Sequence, residues 1–134
     1  MSLDKTKLFL LIIFPVVLID QVSKAVVFLN LDHYSCNRGI AFGLLPDFFS
    51  WVFYFAILAV LWVLFWKQKN KVTAVGLLMV IAGGTSNLLD RILRQCVLDF
   101  LSLGFWPSFN FADSMICAGV VLIIFSYFIS RKKH

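Results

Sequence analysis

The sequence predicts an all-α integral membrane protein with four transmembrane helices, and three observations carry that expectation. First, 61% of the 134 residues are hydrophobic, mean hydropathy is +0.93 and only 14% are charged, where soluble domains carry about a quarter. Second, four runs approach the roughly 20 apolar residues that a spanning helix needs. Third, basic residues border those runs: Lys5 and Lys7, then Lys67, Lys69 and Lys71, then Arg131, Lys132 and Lys133 make up eight of the twelve. A soluble fold this small could not hide so much apolar side chain, so lipid must be part of its solvent. The length fits one four-span domain over residues 1–134.

The first run covers residues 8–29 and is interrupted by Asp20 and Lys24 in its last third. It is too long for a cleavable signal peptide and lacks a small-residue cleavage site. Pro15 predicts a kink within it. The second run, 48–66, and the third, 72–89, carry no charge, and the fourth, 111–129, carries Asp113 near its start. An even number of spans puts both termini on one side. The basic clusters mark that side, with the 67–71 turn, as cytoplasmic. The connections at about 30–47 and 92–110 are then extracytoplasmic. Gly76, Gly83 and Gly84 in the third span, with Ala118 and Gly119 in the fourth, predict close helix contacts. Trp51, Tyr54, Trp62, Trp66 and Tyr127 fall near run ends, as interfacial anchors do.

The formal charge of +5 does not indicate nucleic acid, because the cations flank apolar runs rather than forming a phosphate-binding stripe. Cys36, Cys96 and Cys117 lack metal-ligand spacing. Cys36 and Cys96 both fall in segments read as extracytoplasmic, where a disulfide can form; three free cysteines acting as small hydrophobes is the equal alternative.

The remaining polar residues share one depth. Asp20 and Lys24, four apart, lie on one helix face and can pair. Asn87, Asp90 and Arg91 occupy the outer end of the third span; Asn110 and Asp113 occupy that of the fourth. Charges there cost roughly 2.5–3.5 kcal/mol each near the bilayer centre, so they face a cavity or one another. Asp99 lies in an apolar stretch too short to span, which predicts an interfacial segment carrying Asp99 to the mouth of the bundle near Asp113.

Two carboxylates in a partly dry site suit hydrolysis. Repulsion and low dielectric keep one protonated while the other ionises, so one can activate water while the other polarises a carbonyl. That chemistry requires no cofactor. A serine–histidine arrangement has little support, since His33 is the one histidine besides the terminal His134. Buried carboxylates also line proton or ion paths, and Asp20 with Lys24, or Asp90 beside Arg91, can equally be structural pairs.

Five motifs take the reading further: Asp20-Gln21-Val22-Ser23-Lys24, Asn37-Arg38-Gly39-Ile40-Ala41-Phe42-Gly43, Gly83-Gly84-Thr85-Ser86-Asn87-Leu88-Leu89-Asp90-Arg91, Val97-Leu98-Asp99-Phe100 and Phe109-Asn110-Phe111-Ala112-Asp113-Ser114. Together and in this order they resemble lipoprotein signal peptidase (signal peptidase II). The resemblance implies an aspartic endopeptidase of the bacterial inner membrane, multi-pass, with its active site toward the extracytoplasmic face. Such enzymes cut prolipoprotein signal peptides before a cysteine bearing a diacylglyceryl group. It implies Asp99 and Asp113 as catalytic pair, and Asp20, Lys24, Asn37, Asn87, Arg91 and Asn110 as substrate-binding or site-lining residues. Asp90, Gly39 and Gly43 become structural support, and no metal is implied. Expected partners are prolipoprotein signal peptides, membrane lipids and globomycin-type inhibitors, acting on a monomer. The expected architecture adds a small extracytoplasmic cradle, with β-structure as one option.

The sequence departs from the family pattern where Ala82 and Ser86 stand in place of usual glycines. Twelve residues separate Lys24 from Asn37 and thirteen separate Asp99 from Asp113, a short spacing that implies a trimmed cradle. A catalytically silent relative that binds lipoprotein precursors or lipid is the alternative, and a small transporter or channel subunit a third reading.

Overall fold

The computed structural model describes residues 4–30, 33–38 and 47–131. Among them are four helices and two short strands, in the order α1 (Lys5–Asn30), β1 (Ser35–Asn37), α2 (Asp47–Lys67), α3 (Lys71–Arg94), β2 (Val97–Asp99) and α4 (Phe111–Arg131). Each helix covers an expected span. By length and composition α1, α3 and α4 can cross a membrane, and the Val52–Lys67 stretch of α2 is likewise apolar. α1 runs through Pro15 as one helix.

The bundle is built around α3. Its buried residues extend from Ala74 to Asp90, whereas α1 buries Asp20, Lys24 and Val27. Those three recur at i, i+4 and i+7, one stripe of a helix. The rest of α1 is apolar and faces outward, with Leu11 72% and Phe14 66% exposed. A surface of this kind is stable only against lipid.

Small residues join α3 to α4, as the sequence predicts. A Cβ on Gly76 would meet the Gly119 carbonyl oxygen at 2.7 Å, and one on Gly119 would meet the Gly76 oxygen at 2.6 Å. One on Gly83 would strike the Ala112 carbonyl oxygen. Backbone therefore lies against backbone at both ends of this contact. Gly84 faces the other way, toward Leu58 of α2.

At one end of the bundle, Phe65, Ala74, Leu77, Leu78 and Ile81 form an apolar core with Leu8, Ile12 and Ile123 around it. Here Asn70 caps α3 by accepting the Val72 and Thr73 N–H groups. Lys5 donates to the Trp66 carbonyl, and Thr73 donates to Ser126 at 2.9 Å. The basic residues Lys5, Lys67, Lys71 and Arg131 gather at this end because each terminates a helix there.

The opposite end carries the strands. α3 stops at Gln95, whose φ of 61° turns the chain while its N–H caps back to Arg91. Cys96 follows and is disulfide-bonded to Cys36, which decides between the two readings of the cysteines. β1 and β2 pair antiparallel, with Ser35 opposite Asp99, Cys36 opposite Leu98 and Asn37 opposite Val97. Three-residue strands are marginal alone; a bond across 60 residues of chain adds about 4 kcal/mol on a chain-entropy account. The segment expected at the interface then forms an excursion closed by a Leu101–Phe109 bridge. Its tip turns at Gly104 (φ 78°) and exposes Phe105 and Trp106. The described part of the cradle is thus β-structured. Gly39 and Gly43 lie outside the described residues.

Candidate active site

Two polar layers meet at the stranded end. The lower layer is an ion cluster. Lys24 Nζ lies 2.6 Å from Asp20 Oδ2 and 2.7 Å from Asp90 Oδ2, all three side chains being fully buried. Arg94 Nη1 reaches Asp90 Oδ1 at 2.6 Å. Hydrogen bonds occupy the rest of these carboxylates. Ser86 Oγ donates to Asp20 Oδ2 at 2.6 Å, and the Ala112 N–H to Asp20 Oδ1 at 2.8 Å. Gln21 Nε2 donates to Asp90 Oδ1 at 2.9 Å, and the Leu98 N–H to Asp90 Oδ2 at 3.3 Å. Buried charge is tolerated only when paired and hydrogen-bonded in this way. The cluster also ties α1 and α3 to the residues just before Asp99 and Asp113.

The upper layer contains those two aspartates. Asp113 occupies the first turn of α4, where its N–H donates to Asn110 Oδ1 at 2.9 Å and its Oδ2 accepts the Asn110 N–H at 3.1 Å. This is a reciprocal cap of the helix start. Asn110 Nδ2 donates to Asp99 Oδ1 at 2.9 Å and to Asn87 Oδ1 at 3.1 Å. Asn87 Nδ2 in turn donates to Asp113 Oδ1 at 2.8 Å, and Asn87 Oδ1 accepts from Lys24 at 3.0 Å. Asn37 Nδ2 reaches Asp99 Oδ2 at 3.3 Å from β1. Asn110 therefore touches both carboxylates, and three amides hold them without adding charge.

Asp99, 4% exposed, has its carboxyl pushed up to about 6. Burial is the main cause, and the Asp113 charge adds to it; the hydrogen bonds from Asn37 and Asn110, with the Lys24 charge, work in the other direction.

Asp99, Asp113, Asn37, Asn87 and Asn110 thus gather at one point, with Lys24 directly beneath Asn87. Asp20 and Asp90 lie in the saturated layer below. Arg91, beside Asp90 in sequence, points elsewhere because adjacent helical residues project about 100° apart. It lies over the Tyr54 ring at 4.5 Å and donates to the Tyr54 hydroxyl at 2.9 Å. Tyr54 heads an apolar cleft of about 240 Å³ between α2, α3 and α4, lined by Leu58, Leu61, Val80 and Ile116. Sequence reasoning missed Gln21, Ser86, Arg94 and Tyr54. Arg94 was legible, since Asp90 and Arg94 share the four-residue spacing of Asp20 and Lys24. Ser86 is more than a small substitute for glycine, because its hydroxyl holds Asp20.

Fold and site together define a multi-pass helical membrane protein with a buried, carboxylate-lined site at one end. The family description "Signal peptidase (SPase) II" matches residues 12–129, and the chain belongs to this peptidase family. A lipoprotein signal peptidase of Syntrophomonas wolfei subsp. wolfei is 38% identical, with 81% of this chain and 85% of the relative covered. One of Polynucleobacter necessarius subsp. necessarius is 32% identical, covering 87% and 86%. Two solved structures, described as bacterial membrane enzymes obtained by the in meso method at 2.3 and 1.9 Å resolution, superpose with TM-scores of 0.78 and 0.77. They are 26% and 30% identical to this chain, covering 93% and 89% of it and 90% and 91% of their own lengths.

Proposed function

We propose that the protein is an aspartic endopeptidase of the bacterial inner membrane that removes signal peptides from diacylglyceryl-modified prolipoproteins, cutting before the lipidated cysteine. The observation that carries this reading is the Asn110 side chain bound to Asp99 and, through its backbone, to Asp113. The name shared by the relatives supplies the substrate class.

The chemistry follows from one proton shared by two acids. The ionised carboxylate takes a proton from water, and the resulting hydroxide attacks the scissile carbonyl carbon. The protonated carboxyl donates to the carbonyl oxygen as that oxygen gains charge. Collapse of the tetrahedral intermediate breaks the C–N bond, and the leaving nitrogen takes the proton gained from water. Asp99 is suited to holding a proton in mildly acidic conditions, and substrate that displaces water favours the protonated form further. Asn37, Asn87 and Asn110 fix the two carboxylates, while Arg91 offers donors to a substrate carbonyl. Asp20 and Lys24 support this layer from below, as does Asp90.

The basic end fits the cytoplasmic side, and a disulfide fits an oxidising compartment. Both features support a site that opens away from the cytoplasm. The protein would act as a monomer, with globomycin-type inhibitors competing for the same site.

The test is cleavage of a diacylglyceryl-modified prolipoprotein by purified protein, with Asp99→Asn and Asp113→Asn in parallel. Cleavage lost in both folded variants supports the reading. Folded wild-type protein that binds several precursors and cuts none would make it a silent binding relative.

A further inference from the structure

The Cys36–Cys96 bond lies where its loss would be felt at the site. Cys36 immediately precedes Asn37, and Cys96 comes three residues before Asp99. The strands it joins are unequal: every residue of β2 is buried, every residue of β1 exposed. β2 is further anchored by Leu98, whose N–H is held by Asp90 and whose carbonyl accepts from Asn110. Among the contacts of β1 with the site are the short sheet, the disulfide, Ser35 Oγ to the Asp99 carbonyl at 3.4 Å and Asn37 to the Asp99 carboxylate. A three-residue exposed strand has little hydrophobic burial to keep it in place.

We propose that Cys36 and Cys96 are a positioning pair for the hydrolytic reaction: their disulfide holds Asn37 on the Asp99 carboxylate, so full activity requires the oxidised protein. This rests on the proposed dyad function. A dithiol reductant would convert the bond to two thiols and itself become a disulfide, releasing β1 from one anchor and leaving the four-helix core intact. Catalytic groups tolerate little misplacement, so the expected loss in kcat is roughly 10- to 100-fold.

Asp99 itself gives a readout independent of cleavage. The groups acting on it are Asp113 from α4, Lys24 from α1 and the neutral donors Asn37 and Asn110, with Tyr54 of α2 in electrostatic reach. Asn37 favours the ionised form, so its departure raises the carboxyl midpoint.

The experiment compares the oxidised protein, the protein reduced by a dithiol, and the Cys36→Ser/Cys96→Ser variant, each with Asn37 intact or replaced by alanine. Cleavage is followed alongside the Asp99 carboxyl midpoint by NMR of carbon-labelled aspartate. Helix content by circular dichroism checks each form. The expected result has four parts: kcat falls on reduction, reoxidation restores it, the double serine variant reproduces the loss, and the midpoint rises in both. In the Asn37→Ala background, removing the disulfide should cost little more, because both changes abolish one interaction. An unmoved midpoint, or disulfide and Asn37 losses that simply multiply, would overturn the proposal. Failure of the oxidised wild type to cleave would instead strike the dyad function, and the midpoint would still decide the positioning role.

Discussion

Four aspartates lie within a few side chains of one another, and the protein treats them in two ways. Asp20 and Asp90 are matched by Lys24 and Arg94 at 2.6–2.7 Å, and backbone N–H groups, Ser86 and Gln21 take further lone pairs. Asp99 and Asp113 are held by asparagines and by the start of α4. The first pair is matched by cations in direct contact and saturated with hydrogen bonds. The second is oriented by amides, and among the described residues no salt bridge reaches either of its carboxylates. Amide partners position a carboxylate without settling its charge; a cation does both.

The contrast is broken most severely at the upper layer. Asp113→Asn keeps an oxygen able to cap Asn110, so thermal stability should change by under about 1 kcal/mol. Under the proposed mechanism kcat should still fall by roughly 10²–10⁴-fold. Single-turnover cleavage and thermal unfolding of the same preparation check both halves. Cleavage that survives in a folded Asp113→Asn protein would leave Asp113 a helix cap and nothing more.

In the lower layer the expected loss is one of folding. Lys24→Met strands two buried carboxylates and should cost about 3–5 kcal/mol, read as folded yield and thermal midpoint in detergent. Asp90→Asn should act in the same direction, because it also loosens Leu98.

A smaller effect separates two neighbouring glycines. Gly83→Ala drives a methyl group into the Ala112 carbonyl, beside Asp113, whereas Gly84→Ala meets the movable end of Leu58 at 3.0 Å. Overpacking of about 1–3 kcal/mol is expected for Gly83→Ala, accompanied by lost activity. Gly84→Ala should be milder in both respects, and equal effects would mean that α4 does not depend on that close approach.

The gentlest probe is pH. The folded Asp99 carboxyl titrates near 6, against 3.8 for an ordinary aspartate. Between these values the unfolded chain has released a proton that the folded protein keeps. Asp99 therefore makes stability fall as pH rises from about 4 to 6, with no further change above. The difference between wild-type and Asp99→Asn unfolding across that window isolates this slope. Cleavage should show a limb near the same pH, and Asn37→Ala should shift it upward.

Much of this was legible in the sequence. Twenty-residue apolar runs and flanking lysines define the helices, because a bilayer leaves few alternatives for a backbone without water. Glycines in the third and fourth runs foretold the α3–α4 contact, and the spacing of Asp20 and Lys24 foretold their pairing. Long-range partners were not legible. Nothing local to Asp90 says that its second cation lies on α1, or that Tyr54 of α2 receives Arg91. The Cys36–Cys96 pairing depended on where two loops met, which spacing alone does not determine.

The same ion cluster bears on how the chain is made. α1 carries Asp20 and Lys24 four residues apart, and α3 carries Asp90 and Arg94 four residues apart. Each helix can thus enter the membrane with its buried carboxylate already paired on its own face, before its partner has been synthesised. Asp113 travels on the last helix, with an asparagine as its local companion. Its α4 start gains a further anchor when the Ala112 N–H meets Asp20, 92 residues earlier in the chain. Asp99 and Asp113 therefore come together last, because Asp113 arrives on the final helix.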